Sequence, residues 1–404
     1  MEIIAIGLSP DIESDDVKRA LSIFLQPWRW FETHEINNVR NWFKKNYYCE
    51  PTFFSSGRSA LTALLTSLGI GKGDEVVLQA FTCMVVPNAV RFTGAVPVYA
   101  DIDTSANIDP KDFERKITKR TKAVIVQHTF GTPADMDVIM KIVQKYNILV
   151  VEDCAHACGA VYKGKKVGTI GDGAIFSFGR DKIISSVFGG CAITKYKKIA
   201  QKLRVIESDS PNPSFFWVFQ QLFHSIAMSV VLPLYPSGIG KILLVFLQKL
   251  HVLSVPVSKP ELAGDEPTHY MMRYPNALAS LLINQLSKLD RYTKTRQQIG
   301  MYYERELDKR HIQLLQNREQ SARLRFGIIT HKQKQILRKA KQNNVLLGNW
   351  YHNIVDPIGS DMSKSGYVKG SCPHAEQLAK RIVNLPTRIT QTQADKIIHI
   401  ISSV

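Results

Sequence analysis

Short runs of β-branched and aliphatic residues alternate with helical patterns between about residues 52 and 200, and this alternation most constrains the fold. The strand-like runs are Val76 to Leu78, Pro97 to Tyr99, Ala123 to Val126 and Ile148 to Val151. The helical patterns lie at about 58–69, 83–93, 110–117 and 135–146. Strands and helices in alternation predict an α/β fold, with a mostly parallel sheet and helices on both faces. In such sheets ligands bind at the carboxyl ends of the strands.

The regions on either side of this alternation differ from it and indicate further domains. Residues 1–50 mix helical patterns with aromatic residues and are expected to form an N-terminal arm. Residues 51–209 would be the large domain. Residues 259–404 would combine a long helix, at about Asn276 to Leu307, with a smaller α+β domain that closes with a helix from Gln391 to Ser403.

Residues 210–258 form an apolar insertion between these two domains. Ser210 to Gly240 contains no acidic residue, Lys or Arg, and a second apolar run, Ile242 to Leu247, follows. A membrane-spanning helix needs about 20 mostly apolar residues, and polar residues such as Gln220 interrupt the first run. A buried helical hairpin, a monotopic membrane-contacting hairpin and part of an oligomer interface all fit the pattern. We favour membrane contact or an interface over a membrane span.

Charge and cysteine usage narrow the classes of partner. The formal net charge is +17, but the basic residues are spread along ordinary Lys-rich helices, and zinc-finger, helix-turn-helix and RNP patterns are not found. We therefore predict no nucleic-acid partner. Cys154 and Cys158 are four residues apart, and a second pair that would complete a zinc pattern is missing, so we expect reduced thiols and no metal. The start, Met1 to Ile4, does not resemble a secretory signal.

Two charged residues follow strand-like runs at positions where an α/β sheet exposes a ligand site. Asp153 follows Ile148 to Glu152, and a buried carboxylate there needs a positive partner, such as a protonated pyridine nitrogen. Lys182 follows a strand-then-turn pattern at Gly173 to Gly179, and a partly desolvated lysine can form a Schiff base with an aldehyde. Taken singly, a helix-capping Asp and a surface Lys explain these residues better.

A third feature is a helix start with anion-binding character. Ser55 to Leu61 reads as the beginning of a helix, whose free N–H groups and dipole attract anions. Gly57 permits close approach of a ligand, and Arg58 can add a charged contact. Ser177 has a hydroxyl that can bind phosphate. An ordinary N-cap and a simple strand residue are the alternatives, and the combination of all these features in one chain favours the ligand site.

The same residues belong to a longer set of motifs that resembles a known family, the DegT/DnrJ/EryC1/StrS sugar aminotransferases. The resemblance covers about Phe53 to Leu203 and about 275–400. The matching stretches in the first part are Ser56 to Leu61, Gly69 to Val76, Ala95 to Asp103, Asn107 to Pro110, Thr121 to His128, Gly131 to Asp137 and Glu152 to Ala157. Further matches are Gly168 to Asp172, Phe176 to Phe178, Lys182, Gly189-Gly190, Pro373 to Glu376 and Asn384 to Pro386.

This resemblance implies fold type I of the pyridoxal-phosphate (PLP) enzymes, with a seven-stranded, mostly parallel sheet. It implies that Lys182 is the Schiff-base lysine and proton shuttle and that Asp153 pairs with the pyridine nitrogen. His156 would lie beside the phenolic oxygen of the cofactor. Ser177 would bind the cofactor phosphate, together with backbone groups at Gly57 and Arg58.

The chain departs from the family pattern at three places. Cys83 follows Phe81-Thr82 where the family often has an aromatic residue that stacks on the cofactor ring. Val187-Phe188 replaces the usual Gly-Glu before the final Gly-Gly. The insertion 210–258 falls where the family usually continues into residues that reach the partner subunit.

The activity implied by the resemblance is amino transfer, with glutamate as donor, to a keto sugar carried on a nucleotide. Such chemistry serves surface-glycan or amino-sugar biosynthesis, and a cytoplasmic homodimer is expected, with peripheral contact at the inner membrane face through 210–258. Two alternatives are a sugar dehydratase of the same fold and a non-catalytic, membrane-associated protein that retains the fold. The dehydratase branch has His in place of the lysine, so Lys182 argues against it.

Overall fold

The computed structural model describes residues 3–7, 9, 11–357 and 359–404. Four residues of the predicted N-terminal arm and one near the C-terminus lie outside this range: Met1, Glu2, Leu8, Pro10 and Ile358. The α-helices of the described residues are α1 (Ser14–Phe24), α2 (His34–Tyr47), α3 (Gly57–Ser67), α4 (Val85–Phe92), α5 (Pro110–Arg115), α6 (Met136–Tyr146), α7 (Lys197–Asp209), α8 (Phe215–Leu234), α9 (Ile239–Lys249), α10 (Lys259–Leu262), α11 (Asn276–Leu286), α12 (Leu289–Asp308), α13 (Gln333–Gln342), α14 (Met362–Ser365), α15 (Pro373–Ala379) and α16 (Gln391–Ser402).

The strands build one large sheet and several two-stranded ladders. They are β1 (Ile4–Ala5), β2 (Thr52–Phe54), β3 (Glu75–Gln79), β4 (Val96–Ala100), β5 (Thr121–Gln127), β6 (Leu149–Asp153), β7 (Val161–Tyr162), β8 (Lys165–Lys166), β9 (Gly173–Ser177), β10 (Gly190–Thr194), β11 (Arg325–Ile329), β12 (Val345–Leu346) and β13 (Ile382–Pro386). The large sheet has seven strands in the order β2-β10-β9-β6-β5-β3-β4. Only β10 pairs antiparallel with its neighbours β2 and β9 in this sheet of the described chain, whereas the other pairs are parallel. The predicted α/β class is confirmed.

The core lies on both faces of the large sheet because successive side chains of a strand point to opposite sides. On β5, Val124 and Val126 join one apolar cluster with α2, α6 and α11. Their neighbours Ala123 and Ile125 join a second cluster with α3 and α4. Burial on both faces explains why these strands read as nearly continuous apolar runs.

The C-terminal region adds a smaller α+β layer, as predicted. The strands β11 and β13 pair antiparallel, and a third apolar cluster joins them to α12, α13 and α16. The N-terminal strand β1 reaches this layer and pairs parallel with β12.

The predicted single helix from Asn276 to Leu307 is wrong, because the structure breaks it into α11 and α12 at Ser287 and Lys288. At this break the Lys288 amine forms ion pairs with α1, at 2.6 Å from the Asp15 carboxylate and 2.9 Å from the Asp16 carboxylate. The closing helix α16 matches its prediction to within one residue.

The insertion folds as two helices, α8 and α9, that pack against each other. One face of α8 packs on α1 and α11 and buries Val218, Leu222 and Val231. This helix is long and apolar enough to cross a membrane, but 44% of its apolar window is buried inside the protein. The predicted domain boundaries at 50, 209 and 258 stay predictions.

Candidate active site

A cavity of about 550 Å³ opens at the carboxyl ends of β6 and β9. All the residues that sequence analysis singled out for a site line it: Gly57, Arg58, Asp153, His156, Ser177 and Lys182. They come from three separate segments of the chain, 57–58, 153–156 and 177–182, and the parallel sheet brings them together because its strands end at one edge.

Asp153 is the last residue of β6 and is 4% exposed. One carboxylate oxygen accepts a hydrogen bond from the Ala155 N–H at 3.0 Å. Burial raises the pKa of Asp153, and the Ala155 N–H and the positive charge of Lys182 offset only part of this effect. A cationic group bound beside Asp153 would stabilise the ionised carboxylate, so the position suits a protonated ring nitrogen.

The Lys182 amine shares the cavity with a pair of opposite charges. Its Nζ lies 3.8 Å from the Asp181 carboxylate, and the Lys182 side chain is 18% exposed. The Asp181 carboxylate also accepts a hydrogen bond from Arg325. Burial opposes ionisation of Asp181, but the charges of Lys182 and Arg325 outweigh it and hold the pKa of Asp181 below its usual range. Asp181 therefore pairs with two cations that line the cavity.

His156, Phe130 and Tyr351 form a cluster of three nearly parallel rings at the same edge, and the Phe130 and Tyr351 centroids are 6.2 Å from each other. The ring centroids of Phe130 and Tyr351 are 6.0 Å and 6.3 Å from that of His156, at interplanar angles of 17° and 23°. Burial, together with the charges of Lys182 and Arg325, lowers the pKa of His156 well below its ordinary value. His156 is therefore a neutral imidazole at neutral pH, and because its Nδ1 accepts a hydrogen bond from the Phe130 N–H at 3.4 Å, its Nε2 is left to donate one.

The start of α3 and the end of β9 form a cradle for an anion. Ser56 caps α3, and its hydroxyl accepts a hydrogen bond from the Ser59 N–H at 3.2 Å. A Cβ at Gly57 would lie 2.9 Å from the Cβ of Ser177, so only glycine allows this close approach. The free N–H groups of the first turn and the Ser177 hydroxyl suit a phosphate.

The side chain of Arg58 points away from this cradle. Its guanidinium forms an ion pair with Glu261 and donates a hydrogen bond to the Pro256 carbonyl oxygen at 2.6 Å. The expected charged contact from Arg58 therefore goes to Glu261, which leaves the backbone N–H of Arg58 for the ligand.

Several residues that line the cavity were not singled out in the sequence. Arg325 lies at the start of β11 in the smaller layer, with its guanidinium 3.8 Å from the centroid of the Trp350 ring. Arg180 donates a hydrogen bond to Ser254 of the insertion. Cys83 lines the cavity at the position where the family often has a stacking aromatic residue. The sequence did contain one signal for Arg325. It is a charged residue at the start of the apolar run that forms β11, Arg325 to Ile329.

A buried network behind Asp153 holds the edge of the sheet in place. The Glu152 carboxylate accepts hydrogen bonds from the N–H groups of Gly168, Ile170 and Gly171 at 2.7–2.8 Å. It also contacts His128 at 3.1 Å. The side chains of His128, Glu152 and Cys154 lie close enough together to hold a metal. The Glu152 carboxylate already has hydrogen-bond partners, however, so we interpret the network as structural.

The cavity has the donor set that pyridoxal phosphate requires. Lys182 supplies an amine, Asp153 a buried carboxylate in need of a cation, and the cradle at Gly57 and Ser177 a phosphate site. The chemistry of these groups matches the aldehyde, the ring nitrogen and the phosphate of this cofactor.

Comparison with known proteins gives a family match over most of the chain. The DegT/DnrJ/EryC1/StrS aminotransferase family matches residues 48–404. GDP-perosamine synthase of Caulobacter vibrioides is 40% identical over 161 residues, which cover 40% of this chain and 43% of that protein. A dTDP-3-amino-3,6-dideoxy-alpha-D-galactopyranose transaminase of Aneurinibacillus thermoaerophilus is 36% identical over 198 residues, 48% of this chain and 54% of its own length. The match thus spans about half the length of these curated relatives.

Solved structures share the fold over the whole chain. A putative sugar aminotransferase from Streptococcus pneumoniae in its PLP form superimposes with a TM-score of 0.77 at 19% identity, and the match covers 100% of this chain and 98% of that one. DesV of S. venezuelae, in complex with a ketimine intermediate, superimposes with a TM-score of 0.76 at 22% identity, covering 100% and 98% of the two chains.

These matches confirm the predicted fold type I. The predicted cofactor is confirmed as well, since pyridoxal phosphate is the cofactor that this family uses. The chain belongs to the DegT/DnrJ/EryC1/StrS aminotransferase family.

Proposed function

We propose that this chain is a pyridoxal-phosphate-dependent aminotransferase that moves an amino group from glutamate to a keto sugar carried on a nucleotide. The observation that supports this most strongly is a single cavity in which the Lys182 amine, the Asp153 carboxylate and the cradle at Gly57 and Ser177 meet. Amino transfer by this cofactor needs all three groups around one ligand.

Each residue has a separate task in this proposal. Bound pyridoxal phosphate supplies an aldehyde that accepts amino groups and a ring that stabilises negative charge. The Asp153 carboxylate keeps a proton on the ring nitrogen. Lys182 Nζ would hold the cofactor at its aldehyde and would carry the proton to and from the substrate carbon. Ser177 and the N–H groups of Gly57 and Arg58 bind the phosphate.

His156 and Asp181 support this arrangement from the side. A neutral His156 can hydrogen-bond the phenolic oxygen of the cofactor without adding a charge. Asp181 lies 3.8 Å from Lys182 Nζ and orients the amine toward the cavity by electrostatic attraction.

The substrate class is inferred from the named relatives and from charge. Relatives include a GDP-perosamine synthase and a dTDP-amino-sugar transaminase. GDP- and dTDP-linked keto sugars are therefore the first compounds to test. Their pyrophosphate would be attracted by the chain's formal net charge of +17. We also propose that the enzyme is a cytoplasmic homodimer that serves surface-glycan or amino-sugar biosynthesis.

The test is an absorbance spectrum of the purified protein with and without glutamate, followed by a screen of keto-sugar nucleotides. We expect a visible band from the bound cofactor that bleaches when glutamate is added and returns with the accepted keto sugar, as 2-oxoglutarate accumulates. A sugar dehydratase would consume the sugar without incorporating nitrogen. A non-catalytic protein would show neither the band nor turnover, and either result would contradict the proposal.

A further inference from the structure

The α8–α9 hairpin (Phe215–Lys249) has an inner helix and an outer helix. The inner helix, α8, packs on α1 and α11 and buries Leu222, Met228 and Val231. Because this face is packed on the protein, lipid could reach only the opposite face of α8. Any contact of the hairpin with a membrane or another protein must therefore involve the side that faces away from α1 and α11.

The outer helix, α9, presents an apolar stripe to solvent. Ile239, Ile242 and Phe246 are 58%, 72% and 56% exposed, and their spacing of three and four residues places them on one helical face. Among the described residues of α9, only Gly240 is buried. A Cβ there would lie 2.3 Å from the Val231 carbonyl oxygen, so α9 contacts α8 closely through Gly240 and leaves its stripe uncovered.

The charges around the stripe have one sign. Residues 210–260 contain Lys241, Lys249 and Lys259 but no Asp or Glu. Lys241 and Lys249 are exposed at the two ends of α9. An apolar helical face flanked by lysines is typical of helices that lie in the surface of an anionic bilayer.

The charge pattern disfavours a second copy of this chain as the partner of the stripe. A two-fold contact along α9 would bring lysines of both copies together without an acidic residue of the hairpin to balance them. Anionic lipid headgroups supply the missing negative charge, and the acyl boundary of the bilayer covers the apolar side chains.

We propose that the outer face of α9 docks this protein on the surface of an anionic phospholipid bilayer, at the cytoplasmic side. Leu244 and Gln248 of the same helix line the cavity. Docking through Ile242 and Phe246 therefore places the cavity next to the lipid surface. This docking requires only the hairpin and holds whatever the reaction in the cavity is.

The test is co-sedimentation of the full-length protein with vesicles of phosphatidylcholine, with or without phosphatidylglycerol. We expect binding to the phosphatidylglycerol vesicles that weakens as salt is added. The double substitution I242S/F246S should lower the partition coefficient by about tenfold or more. K241E and K249E should each lower it by about fivefold. Val368, 69% exposed and far along the chain from the hairpin, provides the control V368S, which should bind like the original protein.

Two results would overturn the proposal. One is equal sedimentation of the original protein and I242S/F246S with the anionic vesicles. The other is a change in oligomeric state of I242S/F246S by light scattering without lipid, which would identify the stripe as a subunit interface. The absorbance band of the cofactor should be the same in all of these variants. If the original protein shows no cofactor band, that result counts against the proposed reaction and not against docking.

Discussion

The cavity has two walls of different construction. The strand-end wall, made by Asp153, Ser177, Lys182 and the start of α3, carries a carboxylate, a hydroxyl, an amine and free N–H groups. The hairpin wall, made by His224 and Met228 of α8 and Leu244 and Gln248 of α9, has two apolar and two polar side chains and no Asp, Glu, Lys or Arg. The regular sheet places the reactive groups, whereas the insertion closes the cavity and supplies its outer surface. Substitutions in the two walls should therefore have different consequences.

The largest effect is expected for K182A in the strand-end wall. Loss of the amine removes both the attachment point of the cofactor and the group that moves the proton. We expect the rate of amino transfer to fall by about a thousandfold or more. The matched control is K165A, on the exposed strand β8, which should leave the rate unchanged. Retention of the rate in K182A would show that the strand-end wall does not carry the chemistry.

The next effect is expected for D153N. The amide has the shape of the carboxylate but cannot hold a proton on the ring nitrogen, so the rate of amino transfer should fall by about a hundredfold. Because burial penalises the charge of Asp153, the cofactor-free variant should be at least as stable as the original protein in urea. A large loss of stability in cofactor-free D153N would instead indicate a structural role for this carboxylate.

A smaller effect is expected on the pH dependence of stability, and it can be compared for two buried histidines, His156 beside Asp153 and His224 of the hairpin wall. Burial lowers the pKa values of both His156 and His224 well below the ordinary value of 6.5. Below that pH the unfolded chain binds protons that the folded protein does not, so the free energy of unfolding falls as pH falls. H156Q and H224Q should each remove about 1 kcal/mol per pH unit from this slope below about pH 6.5. Urea unfolding at several pH values measures it, and an unchanged slope would mean that the histidine is protonated in the folded state.

The smallest effect is expected on the outer side of the hairpin wall. Ile242 is 72% exposed, so I242S should change the free energy of unfolding by no more than about 0.5 kcal/mol. The buried hairpin residue Leu222, 0% exposed, provides the contrast, since L222A should cost about 3 kcal/mol. Equal destabilisation by both substitutions would show that α9 is covered in solution.

The strand-end wall could be predicted from the sequence because its signals are local. Asp153 and Ser177 each end a strand-like run, and the pattern Ser56-Gly57 marks the start of a helix. A parallel sheet collects strand ends at one edge, so local signals were enough to place these residues together.

The rest of the site depends on contacts between distant parts of the chain. The ion pair of Asp181 with Arg325 joins residues 144 positions apart, and the stack of His156 with Tyr351 joins two different layers. The break between α11 and α12 lies at Lys288, whose amine forms ion pairs with Asp15 and Asp16 of α1. Helical periodicity continues through that break, so the pattern predicts one helix where the structure has two.

The most direct test of the central claim is to find which side chain carries the cofactor. Borohydride reduction of the purified protein with pyridoxal phosphate, followed by peptide mapping by mass spectrometry, fixes the cofactor to its lysine. The added mass should lie on Lys182 and be absent in K182A, and its yield should fall in D153N. Attachment at another lysine, or no attachment while amino transfer proceeds, would contradict the assignment of Lys182 and Asp153 to one catalytic site.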